Sequence, residues 1–190
     1  MSKKRSQKKK RVAEPPRPER WVEPVQGPGD LLSAFAIREI AFIEEQRIAP
    51  EVERDDADET AFHVLAYEHG HAVGTGRLVP LSAPPEGESG SWGRIGRIAV
   101  MKSSRGKGLG RQILGALEEE ASRRGLDAVA LHAQVWLRGF YEKAGYAAVG
   151  ESFEEAGMPH IRMVRRLGAG VAVSSEVAAE AEAGAGEVPP

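Results

Sequence analysis

The pattern of apolar positions along the chain switches several times between the two-residue period of a strand and the longer period of a helix. The first apolar run contains Pro24, which suits an edge strand because proline cannot donate a ladder hydrogen bond. Residues 62–67 and 72–79 flank a short polar turn and predict a β-hairpin. The strands predicted in this way cover residues 21–25, 62–67, 72–79, 95–100, 127–134, 146–149 and 160–167.

Helical spacing of apolar residues occurs in three places between these strands. The first predicted helix covers about residues 31–43, and Asp30 before it has a side chain suited to capping. The second and strongest follows Gly110 and is expected to end at Gly125. A short third helix is predicted at 136–144. Six or seven strands with three or four helices indicate a mixed α/β domain.

The two ends of the 190-residue chain differ in composition from this body. Residues 1–20 carry nine Lys and Arg against two Glu, together with three prolines, and predict a disordered basic tail. Residues 168–190 are rich in Ala, Gly and Glu and predict a second flexible tail. The folded domain is therefore expected at about 21–167. Because the body is mildly acidic, any salt-sensitive nucleic-acid contact is expected only at residues 3–11.

Composition also excludes several classes of site. The chain has no cysteine, which removes disulfides, thiolate metal ligands and thiol nucleophiles and fits a reducing, cytoplasmic setting. Its five histidines are scattered without a ligand spacing, so no metal site is expected. No apolar run approaches the ~18 residues of a membrane span, so no membrane association is expected.

A loop rich in glycine and basic residues, 105–110, separates the strand at 95–100 from the strongest helix. Main-chain amides at a helix N-terminus can hold a phosphate group, and glycines let the anion approach them closely. The phosphate-loop motif of ATPases is absent because Lys107 is followed by Gly108 and not by Ser or Thr. The dinucleotide fingerprint is absent as well, and a charged surface turn is the structural alternative.

Two motifs in the second half of the chain point to a known family. Arg105-x-x-Gly108-x-Gly110 directly follows the strand that ends in Ile98-Ala99-Val100, and the segment 134–146 contains Phe-Tyr-x-x-x-Gly-Tyr. Together they resemble the GNAT superfamily of N-acetyltransferases. Upstream segments at 37–39, 42–46, 51–58, 61–63 and 74–78, and Gly-Met-Pro-His-Ile-Arg-Met near the end, resemble its ElaA-like branch. The resemblance extends over about residues 20–167.

The resemblance implies a GNAT-like acyl-CoA N-acyltransferase fold (α+β), with a mostly antiparallel central sheet and helices on both faces. Acetyl-CoA would serve as acyl donor and lie where the strands at 95–100 and 128–134 separate. Tyr141 matches the general acid that protonates the departing thiolate, and Gln134 matches a cofactor contact. The cofactor-binding residues implied are the main chains of Ile98, Ala99 and Val100, the pyrophosphate loop Arg105, Gly106, Lys107, Gly108, Leu109 and Gly110, and Gln134.

The general base and the acceptor remain open at this stage. Relatives carry a Glu before the glycine loop, but residues 94–97 offer no carboxylate, which leaves Glu44, Glu45, His63, His160 or water. The acceptor is expected to be a primary amine of a small molecule or a peptide. The acidic segment 51–59 suggests a cationic amine, although a solvated loop explains it more simply. Two alternatives are an acyl-homoserine-lactone-type synthase and a non-catalytic CoA-binding protein docked through its basic tail.

Overall fold

A seven-stranded sheet crosses the whole domain in the computed structural model, which describes residues 18–168. The sheet order is β1-β2-β3-β4-β5-β7-β6. The strands are β1 (Arg20–Pro24), β2 (Phe62–Glu68), β3 (His71–Pro80), β4 (Trp92–Val100), β5 (Ala128–Gln134), β6 (Ala147–Glu155) and β7 (Met158–Arg166). Neighbouring strands are antiparallel except β4 and β5, which are parallel. The predicted mixed, mostly antiparallel sheet is confirmed. The tails predicted at 1–20 and 168–190 lie almost wholly outside the described residues.

Helices pack on both faces of this sheet, as predicted. They are α1 (Pro28–Arg38), which continues as a π-helical segment (Glu39–Glu44), α2 (Pro50–Glu53), α3 (Leu109–Arg123) and α4 (Arg138–Lys143). Alternation along β2 shows the two faces: Val64 and Ala66 are buried with α3, whereas Leu65 is buried with α1. Gly125 ends α3 with a positive φ of 72°, as predicted. None of the helices in residues 18–168 is long and apolar enough to cross a membrane.

Two local predictions are wrong in detail. Helix α1 begins at Pro28, so Asp30 lies within its first turn and its carboxylate accepts a hydrogen bond from the Gln26 amide at 2.9 Å. Strand β6 continues to Glu155, well past the predicted end at 149. It pairs only with β7 at the sheet edge and contains an irregularity between Val149 and Phe153, so its residues show no alternation that the sequence could reveal.

Helix α3 packs unusually close to strand β3 because glycine occupies the contact. A Cβ placed on Gly76 would lie 2.7 Å from Ile113 Cγ2 and 3.0 Å from Leu117 Cδ1. A Cβ on Gly74 would lie 3.0 Å from the Ala99 carbonyl oxygen. The missing side chains let the helix that follows the glycine loop rest directly on the sheet.

We expect Gly76→Ala to lower the free energy of unfolding by about 1–3 kcal/mol, since overpacking a close contact forces the helix outward. Gly96→Ala on the neighbouring strand is the matched control, because a Cβ there meets no atom within 4 Å. Urea denaturation of both variants measures the difference. Equal stability of the two variants would contradict the close contact.

The acidic segment is folded against the domain by three arginines and is not the solvated loop expected from its composition. Arg38 is fully buried and donates to Glu53 at 2.5 Å and to Asp58 at 2.6 and 2.9 Å. Arg77 of β3 donates to Asp58 at 2.5 Å and to Asp55 at 2.6 and 2.7 Å. Glu53 and Asp58 are both buried. Local composition could not reveal this, since the arginines come from distant parts of the chain.

A third arginine, Arg97 of β4, completes an arginine–carboxylate cluster with the residues just described. It donates to the main-chain carbonyls of Val52 and Glu53 at 2.9 and 2.8 Å, and to Asp55 at 3.3 Å. Three guanidinium groups thus face three carboxylates, and their charges balance. The cluster fixes residues 50–59 across α1, β3 and β4.

We expect Asp58→Asn to destabilise the domain by about 3–5 kcal/mol at neutral pH, because two buried guanidinium groups lose their shared partner. Burial opposes ionisation of Asp58, but Arg38 and Arg77 outweigh it and lower the pKa from 3.8 to about 2. This carboxylate therefore stabilises the fold fully above pH 3.8, and its contribution is lost as the pH falls through about 2.

The difference in unfolding free energy between wild type and Asp58→Asn should accordingly be largest at pH 7 and shrink below pH 4. Urea denaturation across that range measures it. Asp56→Asn is the matched control in the same turn, since Asp56 is exposed. If this difference in unfolding free energy is constant from pH 7 to pH 2.5, the charge of Asp58 is not the source of the stabilisation.

Candidate active site

The site begins where β4 and β5 stop pairing. Their parallel register covers only Trp92–Arg94 against 128–130, and the two strands diverge beyond it. A β-bulge in β4 lies just past that point: Thr75 pairs with Ala99 and Arg77 with Gly96, so two residues oppose the single Gly76. One of the two, Arg97, has a positive φ of 53°. A bulge bends its strand, and this one turns β4 away from β5.

A cavity of about 840 Å³ fills the gap between the diverging strands, within the range of small-molecule and cofactor sites. Residues 95–100 of β4 form one wall, and Leu131, His132 and Gln134 of β5 form the other. Residues 104–106 and 108–111 close one end, together with Trp136, Leu137, Phe140 and Tyr141. The rest of the wall is formed by the π-helical segment after α1 and the residues that follow it, by the acidic segment and by the β6–β7 turn.

Ile98, Ala99 and Val100 all line this cavity, as expected from the sequence. Ala99 and Val100 pair with β3 on one side, but β5 pairs with none of the three on the other. Backbone groups on that side are therefore available to a ligand that carries amides. The Val100 carbonyl also accepts a hydrogen bond from Arg105 Nε at 2.8 Å.

The glycine loop has the backbone that an anion cradle requires. Gly106 and Gly108 have positive φ angles of 77° and 84°, and Gly108 caps the 15-residue helix α3. The first amides of that helix have no partner within it and point toward its N-terminal end. The cavity wall includes Gly106, Gly108, Leu109 and Gly110. A Cβ on Gly110 would come no closer than 3.8 Å to Phe140, so the protein itself leaves room for a side chain there.

The two basic side chains of the loop point in different directions. Arg105 lines the cavity and donates to Glu45 Oε2 at 2.8 Å. Lys107 lies outside the cavity wall and donates to Glu68 Oε2 at 2.9 Å, beside Ser104. Arg111, the third residue of α3, lines the cavity although the sequence did not single it out.

Tyr141 lies in α4 with its ring against Phe140 and Tyr146, at centroid distances of 4.9 and 5.8 Å. It lines the cavity yet is only 8% exposed. Burial raises its pKa to about 12, so the hydroxyl stays protonated and can act as a donor. Gln134 lies at the end of β5 and donates to Gln46 Oε1 at 2.7 Å across the cavity.

The structure separates the four protein candidates for the general base. Glu44 lies outside the cavity wall, and Glu45 is paired with Arg105. His63 lies beside the arginine–carboxylate cluster, and burial lowers its pKa. Of these four candidates, only His160 lines the cavity.

His160 has a defined orientation in the cavity wall. Its Nδ1 lies 2.9 Å from the Met158 carbonyl oxygen, which can only accept. This contact favours the tautomer with hydrogen on Nδ1, so Nε2 of the neutral ring is left as a proton acceptor.

Further polar residues of the cavity were missed by the sequence. His132 Nδ1 lies 2.5 Å from Glu155 Oε2, and its ring meets Phe153 edge-on at 4.8 Å. Glu155 lies in the part of β6 that the alternation pattern did not predict. Gln46 follows the π-helical segment, where helical spacing of apolar residues ends.

Comparison with known proteins agrees with this geometry. Residues 32–167 match the family model described as acetyltransferase (GNAT) domain. A Bacillus subtilis (strain 168) protein named as an acetyltransferase is 36% identical over 148 residues, which cover 76% of this chain and 95% of that protein. Protein ElaA of Escherichia coli (strain K12) is 29% identical over 139 residues, covering 72% and 88%.

Solved structures show the same relationship. An acyl-CoA N-acyltransferase from Pseudomonas aeruginosa superposes with a TM-score of 0.63 at 30% identity, covering 77% of this chain and 97% of that one. The resemblance to the GNAT superfamily and to ElaA is thereby confirmed. The seven-stranded domain with its cavity between β4 and β5 belongs to the GNAT acetyltransferase family, and the chain is an N-acetyltransferase.

Proposed function

We propose that the protein transfers the acetyl group of acetyl-CoA directly to a primary amine of a small molecule or a peptide. The observation that carries the proposal is the cavity opened by the divergence of β4 from β5. The wall of this one cavity contains strand backbone that no neighbouring strand pairs with, the glycine loop at the N-terminus of α3, and the buried side chain of Tyr141 with its hydroxyl group.

The donor would lie along β4, with pantetheine amides paired to the main chains of Ile98, Ala99 and Val100. Its pyrophosphate would lie at the loop 105–110, where helix amides and the Arg105 guanidinium favour negative charge. Lys107 would contribute its amide alone, because its side chain is paired with Glu68. Gln134 would contact the donor from the β5 wall.

The chemistry follows from this placement. The amine nitrogen attacks the thioester carbonyl carbon, the C–S bond breaks, and the nitrogen loses one proton while the thiolate gains one. Tyr141 supplies the proton to sulfur. Its raised pKa suits this role, because the desolvation that raises it would also make a neighbouring thiolate more basic. We propose His160 Nε2, directly or through water, as the acceptor of the amine proton.

Release of free thiol from acetyl-CoA in the presence of a panel of amines tests the proposal. Amine-dependent release with formation of the N-acetyl product supports it. Tight CoA binding without release for any amine would favour the non-catalytic alternative, and contact of residues 3–11 with nucleic acid would then be tested by its dependence on salt.

We expect Gly108→Ala to weaken CoA binding by tenfold or more, because a side chain at φ 84° distorts the amides proposed to hold pyrophosphate. Gly125→Ala is the matched control: it has a similar φ of 72°, lies at the other end of α3 and is outside the cavity wall. Both should lose about 1–2 kcal/mol of stability from left-handed strain. Calorimetric CoA titration that finds equal affinity for the two variants would refute the cradle.

We expect Tyr141→Phe to lower kcat by ~100- to 10,000-fold while the Kd for CoA changes little, because only the proton donor is removed. Tyr146→Phe is the matched control, a buried neighbouring phenol outside the cavity wall. Steady-state rates should separate the two, with a pre-steady-state measurement to establish that chemistry limits turnover. A kcat for Tyr141→Phe within threefold of wild type under chemistry-limited conditions would show that Tyr141 serves packing alone.

A further inference from the structure

A second depression, of about 320 Å³, adjoins the main cavity on the α1 face of the sheet. Arg94, Leu131 and His132 line both spaces. The remaining wall is formed by Arg162, Ala130 and the loop at 81–85. No carboxylate from residues 18–168 lines this depression.

Strand register brings the two arginines together. Arg94 of β4 pairs with Ala130 of β5, and two residues further along β5, His132 pairs with Arg162 of β7. Paired residues and those two apart share one face of a sheet, so these side chains all emerge on the same side. The strands that carry the arginines are about 10 Å apart, with one strand between them. The small Ala130 between them leaves space over which both long side chains can converge.

The charges of Arg94 and Arg162 are uncompensated within the described part of the chain. The other arginines that line the main cavity are each held by a carboxylate: Arg77 and Arg97 in the cluster, Arg105 by Glu45 and Arg111 by Glu118. Their main chains pair within the sheet, but neither guanidinium group has an ion pair or hydrogen bond with any residue in 18–168. Glu155, which lines the main cavity with Arg94, is engaged by His132.

The carboxylates of the cavity, by contrast, are all occupied. Glu53 and Asp55 belong to the arginine–carboxylate cluster and Glu155 pairs with His132. A cationic group on the acceptor would therefore find no free partner in this wall. Five arginines and three carboxylates line the main cavity. The phosphates of the donor would neutralise only the arginines at the glycine loop.

We propose that Arg94 and Arg162 bind an anionic group, a carboxylate or a phosphate, of the amine that accepts the acetyl group. The proposal rests on the acetyl transfer proposed above and narrows its acceptor to amines that carry a negative charge. Arg94 is the last β4 residue paired with β5, so an anion held there lies beside the start of the divergence. The guanidinium group is suited to this task because it binds carboxylate and phosphate in a bidentate manner.

Anion binding is tested first without catalysis. The full chain, labelled with ¹⁵N-arginine, is titrated with inorganic phosphate and with acetate at constant ionic strength. We expect the Nε–H signals of Arg94 and Arg162, assigned through Arg94→Gln and Arg162→Gln, to shift and saturate. Arg47 is the matched control, since it is exposed and outside both spaces. Shifts no larger than those of Arg47 would overturn the proposal.

Activity is then compared within two matched pairs of amines: leucine against 3-methylbutylamine, and 2-aminoethyl phosphate against ethanolamine. The pair with the larger preference for its charged member identifies carboxylate or phosphate as the group bound. Arg94→Gln and Arg162→Gln should each reduce that preference in kcat/KM by about 10- to 100-fold, and Arg47→Gln should leave it unchanged.

An equal loss of kcat/KM for charged and uncharged amines would refute the anion site while leaving acetyl transfer intact. Anion shifts at both arginines with no turnover of any amine would support the site and count against the transfer.

Discussion

The divergence of β4 from β5 is the constraint on which the site depends. In a parallel pair, evenly spaced hydrogen bonds satisfy the backbone groups of each strand with those of the other. Here three residues pair on each strand, after which a bulge with Arg97 at positive φ turns β4 aside. The separation leaves unpaired backbone along a cavity inside the sheet. These backbone groups are therefore available to a ligand that carries amides.

Two different means hold the walls of that cavity apart. On the α3 face, glycines in β3 let α3 lie directly on the sheet, which places the glycine loop at the end of β4. On the α1 face, ion pairs add to the apolar packing of α1, and the arginine–carboxylate cluster fixes the acidic segment. The glycine-loop end therefore depends on close apolar contact, whereas the acidic wall depends on balanced buried charge. Contacts such as that of Gln46 with Gln134 join the two walls across the opening.

Sequence reasoning recovered what depends on local pattern. Alternation revealed the strands that are buried on one or both faces, and the glycine loop and the Phe-Tyr segment singled out from the sequence both border the cavity. It failed where long-range pairing decides the outcome. Nothing near Asp58 indicates that Arg38 and Arg77 neutralise it, and the edge strand β6 lacks the alternation that would have placed Glu155. The sequence also could not show that Lys107 turns toward Glu68 while Arg111 faces the cavity.

The arginine–carboxylate cluster has a consequence for how this protein can change over evolutionary time. Asp58 is shared by two guanidinium groups, and so is Asp55. Replacing any one charged residue of the cluster therefore leaves another without its partner. Single substitutions in the cluster are costly, and the positions can change only in concert. A residue that faces the cavity outside both this cluster and the apolar core, such as Ile48, carries no such restriction. The wall can therefore acquire a new substrate preference one residue at a time, on an anchor that stays constant.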